Sequence, residues 1–138
     1  MNETAAQRGP VEVLVVDDNV NVSRALGEML FRQGFAPVVC TTGQDAMSYL
    51  DQAAAPGAAV IDVHLPDVSG LTLTQHLRQR HGPDVPVIIL SGDTSMENLS
   101  ALPLVGATYF YSKPVRGSEL LERIRELTTP CTQAPADG

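Results

Sequence analysis

The stretch Ala58–Gly70, AAVIDVHLPDVSG, decides how this chain folds. It opens on an apolar run of strand length interrupted only by Asp62. It then closes on Pro-Asp-Val-Ser-Gly, a turn leading into a helical pattern. A nearly continuous apolar strand belongs in a parallel sheet buried on both faces. A lone carboxylate within such a run is costly unless it is paired. Helices must therefore cover both faces of the sheet, and Asp62 is harder to dismiss as an ordinary turn residue.

Four similar runs flank this one: Val11–Val16 (VEVLVV), Phe35–Cys40 (FAPVVC), Val85–Leu90 (VPVIIL) and Ala107–Ser112 (ATYFYS). Pro86 sits near a strand start, where a missing N–H is tolerated, and Pro37 marks the second run as an edge strand. Helical periodicity fills the intervals. Val22, Leu26, Met29 and Leu30 line one face of a helix from about Val20 to Gln33, stopped by Gly34. Ala46, Leu50 and Ala53 repeat the spacing before Pro56, as do Gly70, Leu73 and Leu77 before Gly82. Leu120, Leu121, Ile124 and Leu127 form a last helix, with Ser118 as its cap and Pro130 beyond its end. A weaker helix at Leu99 and Leu102 is cut by Pro103. Alternating strands and helices predict one α/β domain, a five-stranded parallel sheet wound on both faces.

The composition agrees. A chain of 138 residues that is 43% hydrophobic and 18% charged has the size and apolar content of a single globular domain. Sixteen acids against nine bases give −7, which excludes direct nucleic acid binding and attachment to an anionic membrane surface. No apolar run is long enough to span a bilayer. Residues 1–9 read as a flexible leader behind a native start at Met1. Residues 129–138 read as a flexible tail or the start of a linker. Cys40 and Cys131 share no metal-ligand spacing and point to a reducing cytoplasm.

Ligands of an open parallel sheet bind beyond the carboxyl ends of its strands. There stand Asp17 and Asp18 after the first run, Asp62 in the third, Ser91 after the fourth and Lys113, the only lysine, after the fifth. Singly, each has a bland explanation as a turn former, a cap or a solvated side chain. Together they make a constellation. Clustered carboxylates need a cation, and an all-oxygen set suits Mg²⁺, with Mn²⁺ as an alternative. A hydroxyl and an ammonium opposite would bind a phosphoryl group, with Asp62 as the nucleophile.

On these residues the chain resembles the receiver domain of a two-component response regulator over residues 10–128. The resemblance rests on VVDDN (Val15–Asn19), IDVHLPDVSG (Ile61–Gly70), IILSG (Ile88–Gly92) and YSKPV (Tyr111–Val115). Their intervals also fit: 44 residues from Asp18 to Asp62, 29 on to Ser91 and 22 on to Lys113. The resemblance implies a flavodoxin-like sheet of order 2-1-3-4-5. It implies Asp62 as phosphoacceptor, and Asp17, Asp18, Asp62 and the His64 backbone carbonyl as Mg²⁺ ligands. Ser91, the Gly92 backbone and Lys113 would hold the phosphoryl group, and Ser91 and Phe110 would form the switch. A cis bond is implied before Pro114. His64 and Asp93 occupy the positions that tune hydrolysis and donor access, and Pro103 breaks a helix that is usually part of the output face.

The implied function is phosphorylation-controlled signalling rather than enzymatic turnover. The implied partners are a sensor histidine kinase or histidine phosphotransfer protein upstream, and a downstream protein or C-terminal output domain. A phosphorylation-dependent homodimer is also compatible with the family. Three other readings compete. One is a haloacid-dehalogenase-type phosphatase, which wants Asp-x-Asp where this chain has His64. Another is a flavodoxin-like cofactor binder, which wants a phosphate loop after the first strand. The third is a receiver that binds partners without phosphorylation.

Overall fold

The computed structural model describes residues 10–92 and 109–128. Strands and helices alternate as β1 (Glu12–Val16), α1 (Val20–Arg32), β2 (Ala36–Cys40), α2 (Gly43–Gln52), β3 (Ala58–Asp62), α3 (Gly70–His81), β4 (Val87–Ser91), β5 (Tyr109–Ser112) and α4 (Gly117–Thr128). All neighbouring strands are parallel, in the order β2-β1-β3-β4-β5. The weak helix around Leu99 and Leu102, Pro103, Asp93, Cys131, the leader and the tail lie outside the described residues.

Burial follows position in that order. Every residue of β3 and β4 is buried, and β1 is buried after Glu12. Alternate side chains serve two cores. Leu14, Val16, Ile61 and Ile89 meet Ala46 and Leu50 of α2 and Leu73 and Leu77 of α3. Val13, Val15, Val60 and Ile88 meet Leu30 of α1 and Leu120 and Ile124 of α4. Burying one such Leu or Ile contributes about 1.5–3 kcal/mol. β2 and β5 are the edges and stay partly exposed, consistent with Pro37 in β2.

Side-chain caps set the helix starts. Asn19 accepts from the N–H groups of Asn21 (3.0 Å) and Val22 (3.1 Å), Thr42 from Asp45 (3.1 Å), and Ser69 from Leu71 (3.0 Å). Gly34 and Gly82 follow α1 and α3 at φ +95° and +88°, a region that disfavours any side chain.

Three sequence expectations are corrected. The buried row of α1 is Ser23, Gly27 and Leu30, while Val22 is exposed. The helix sits on β2 through its small residues, since a Cβ on Gly27 would lie 2.8 Å from the Val39 side chain. The fourth strand begins at Val87, after Pro86, and includes Ser91 rather than ending before it. Helix α4 begins at Gly117, so Ser118 lies inside its first turn and not at its cap.

Candidate functional site

The order of strands reverses between β1 and β3: from β1 the chain moves outward to β2, and from β3 outward to β4 and β5. A crevice opens at the carboxyl ends of those two strands. Asp17 leaves β1 there with its N–H still donated to the Cys40 carbonyl (3.2 Å), which holds its side chain inward and buried. Asp62 is the last residue of β3 and is also buried. Each carboxylate accepts the N–H two residues on, Asp17 from Asn19 (2.9 Å) and Asp62 from His64 (3.1 Å). These are local turns that an Asp favours, and both orient a charged oxygen.

Lys113 spans the pair. Its Nζ lies 2.9 Å from Asp62 Oδ2 and 3.2 Å from Asp17 Oδ2, and its backbone N–H donates to the Ser91 carbonyl at 2.9 Å. Partial burial works against its charge, but the hydrogen bonds and charges of Asp62 and Asp17 prevail and hold its ammonium above the ordinary lysine value. The following bond to Pro114 is cis. Ser91 is fully buried at the end of β4, and Gly92 beyond it is exposed, with no described atom within 4 Å of where a Cβ would stand.

Asp18 completes an acidic cluster. Asp17, Asp18 and Asp62 each bring a carboxylate oxygen within 4.8 Å of the others, with Asp18 facing solvent. Three hard oxygens beside one ammonium leave an excess of negative charge with an open side. That donor set fits a small divalent cation such as Mg²⁺ that keeps part of its water shell.

The loop after Asp62 is folded tightly under the site. Gly70 donates to the Val63 carbonyl (2.8 Å), and a Cβ at Gly70 would fall 2.2 Å from the Asp62 carbonyl oxygen. Only glycine permits this approach. Asp67 reaches sideways from the loop and accepts the N–H groups of Gly43 and Gln44, both at 2.9 Å, at the start of α2. Those two bonds hold the Asp67 carboxyl below the usual range. His64 lies between, with an exposed side chain.

Phe110 and its neighbours separate by face. Phe110 pairs with Ile89 and packs half-buried on the core beneath α2 and α3. Tyr109 and Tyr111 face α4, where Arg123 stacks 4.3 Å over the Tyr109 ring and donates to the Tyr111 hydroxyl at 3.0 Å. The tyrosines are thus held from one side, and Phe110 is the aromatic of β5 that lies against the other core.

The structure therefore brings Asp17, Asp18, Asp62 and Lys113 together, with Ser91 buried beside the Lys113 backbone. Asp93 falls outside the described residues. Sequence reading overlooked the Asn19 and His64 amides and the Asp67 anchor. The first two have a detectable signal, an Asp two residues before the N–H it binds. Asp67 has none, because its partners lie 24 and 23 residues away.

Comparison with known proteins agrees with this geometry. The family model for the response regulator receiver domain matches residues 13–125. Response regulator MprA of Mycolicibacterium vanbaalenii is 33% identical over 129 residues, covering 94% of this chain and 54% of that protein. The chain spans about half the length, or less, of the curated relatives it matches. Among solved structures, a receiver domain from Methanospirillum hungatei superposes with a TM-score of 0.83 at 24% identity, covering 94% of this chain and all of the other. A Burkholderia pseudomallei response regulator, described with a phosphorylated aspartic acid and a calcium ion, superposes with a TM-score of 0.75 at 25% identity. It covers 92% of this chain and 72% of that one. The chain belongs to the response regulator receiver domain family.

Proposed function

We propose that this domain accepts a phosphoryl group on Asp62 from a phosphohistidine and changes its surface in response. The observation that carries the reading is the Lys113 ammonium bridging the buried carboxylates of Asp17 and Asp62, beside the open carboxylate of Asp18. Asp17, Asp18, Asp62 and the His64 backbone carbonyl would hold Mg²⁺, or Mn²⁺ in its place. The ion supplies charge neutralisation for the incoming phosphoryl oxygens.

An Asp62 carboxylate oxygen bonds to phosphorus, the phosphorus–nitrogen bond to the donor imidazole breaks, and that nitrogen keeps the electron pair. Lys113 moves from the carboxylate to a phosphoryl oxygen, and the Ser91 hydroxyl and Gly92 N–H donate to others. The acyl phosphate carries about −1.5 to −2 charge in place of the −1 of the carboxylate, at a site that already has an excess of negative charge. Drawing Ser91 toward the phosphoryl group frees space into which Phe110 turns, which shifts an existing equilibrium of the β5 and α4 surface. His64, and Asp93 two residues after Ser91 in the sequence, would set the rate of hydrolysis and the access of small donors.

The unit so regulated is residues 10–128, flanked by a leader (1–9) and a tail or linker (129–138). It acts in the cytoplasm as a signalling module and not as an enzyme. No helix among the described residues is long and apolar enough to cross a membrane. A sensor histidine kinase or histidine phosphotransfer protein supplies the phosphoryl group. A downstream protein, a C-terminal output domain or a phosphorylation-dependent homodimer receives the signal.

The test is to incubate the chain and Asp62→Asn with Mg²⁺ and a small phosphodonor. The expected result is Mg²⁺-dependent label on the wild type that is stable in acid, labile in alkali and lost in the variant. Equal labelling of both would refute the proposal. Asp18→Ala should weaken Mg²⁺ affinity far more than Asp67→Ala.

A further inference from the structure

A groove of about 790 Å³ lies away from the acidic site, between α1 and the edge strand β2. Its rim carries apolar side chains that stay exposed among the described residues: Phe31 is 70% exposed, Val20 51% and Val39 42%. An exposed aromatic between two exposed β-branched residues is unusual for a free surface and common at interfaces.

The edge strand itself is not built to be extended. The Ala36 N–H donates to the Val11 carbonyl and the Cys40 carbonyl accepts from Asp17, so residues 36, 38 and 40 face β1. Pro37 and Val39 therefore present their backbones outward, and Pro37 has no N–H to offer. Anything that docks here does so through side chains.

The pattern along α1 names the occupant. Val20, Arg24, Glu28 and Phe31 form one exposed row along the groove. Glu28 pairs with Arg32 of its own helix at 3.3 Å, an exposed contact that can be shared. If a second copy of α1 is laid antiparallel about a two-fold axis near residue 26, Arg24 of each copy meets Glu28 of the other. Val20 then lies near the second copy's Phe31. The row is complementary to itself, as a two-fold contact requires. Helix α1 also carries two arginines against one glutamate in a chain of net charge −7, so it is a place where two acidic copies can approach.

We infer that this face is a self-association surface, on which two copies of the chain pack α1 against α1 with Phe31 of each seated over the other's groove. An interface of one helix pair is small, below about 1,200 Å² in total, so the dimer is weak and forms at high concentration. It needs neither Mg²⁺ nor phosphorylation and does not rest on the role assigned to Asp62.

The test is sedimentation velocity over a concentration series, without Mg²⁺ or phosphodonor. The wild type should show a sedimentation coefficient that rises with concentration. Phe31→Glu, at a position exposed enough to leave the fold intact by circular dichroism, should weaken association about tenfold or more. Arg24→Glu and Glu28→Arg should each weaken it by juxtaposing like charges, and an equimolar mixture of the two should associate as the wild type does. A wild type that stays monomeric throughout would overturn the inference and leave the face to a partner of another sequence. So would a Phe31→Glu chain that associates normally, or a mixture no better than the single variants.

Discussion

Replacing Lys113 with methionine removes a cation that touches two buried carboxylates while keeping most of the side chain's volume. At an effective dielectric constant of about 20, charges 2.9 Å and 3.2 Å apart attract by about 6 and about 5 kcal/mol. Most of this is offset by the desolvation of the ammonium and by water, since the lysine side chain is 32% exposed. Breaking a fully buried pair costs about 3–5 kcal/mol, so a discounted value of about 2–3 kcal/mol is expected for Lys113→Met. In a domain of this size that lowers Tm by about 6–12 °C near neutral pH.

The pH dependence has a definite sign. Lys113 is held above its ordinary value in the folded state, so its contribution is fully present below the ordinary lysine range. It is lost only as pH rises through the raised value, and the two proteins should converge at strongly alkaline pH. Added Mg²⁺ should recover more Tm in the variant than in the wild type, since it replaces the missing positive charge. Thermal melts followed by circular dichroism across the pH range test all of this. An unchanged Tm near neutrality, or a gap that persists at strongly alkaline pH, would show that Lys113 does not neutralise these carboxylates.

Gly70→Ala should cost about 2 kcal/mol or more, because its Cβ meets the Asp62 backbone at 2.2 Å and neither side can yield cheaply. Chemical denaturation measures the loss, and wild-type stability in the variant would show that the loop can move aside. Asp67→Ala should lower Tm at neutral pH by freeing the amides of Gly43 and Gln44. The Asp67 carboxyl is depressed, so its contribution holds above the ordinary carboxylate range and vanishes as pH falls through the depressed value. A Tm difference that persists in strong acid would contradict that assignment. Burial, and secondarily the charge of Asp45, pushes the Cys40 thiol up to about 11. In a Cys131→Ser background, about one Cys40 in a thousand is then thiolate near pH 8, and alkylation should be slow until the protein unfolds. Rapid labelling of the native chain would show the site to be open.

The resemblance carried by four short signatures holds for the fold. The five runs and their alternation with helices were legible because apolar continuity and periodicity are local properties. The packing row of α1 was not, because Ser23 and Gly27 carry no apolar signal and matter only through how closely they let the helix approach β2. The reach of the Val87 strand to Ser91 was likewise a matter of pairing, since Ser91 is set opposite Ser112 of β5.

By itself, then, the sequence determined which side chains stand at the ends of the strands: Asp17, Asp18, Asp62, Ser91 and Lys113. Asp17 and Lys113 are 96 residues apart, and no local pattern measures the gap between them. Only the order of strands in the sheet closes it, by setting β1 beside β3 and bringing the turn after β5 across to both. The tertiary structure likewise decided that Lys113 neutralises two carboxylates at once. It also decided that Asp67 fastens the loop after Asp62 to α2, and that Phe31 is left facing solvent over a groove. The physical reason is the same in each case: propensity and periodicity act over a few residues, whereas charge neutralisation, capping from a distance and exposure depend on which elements become neighbours.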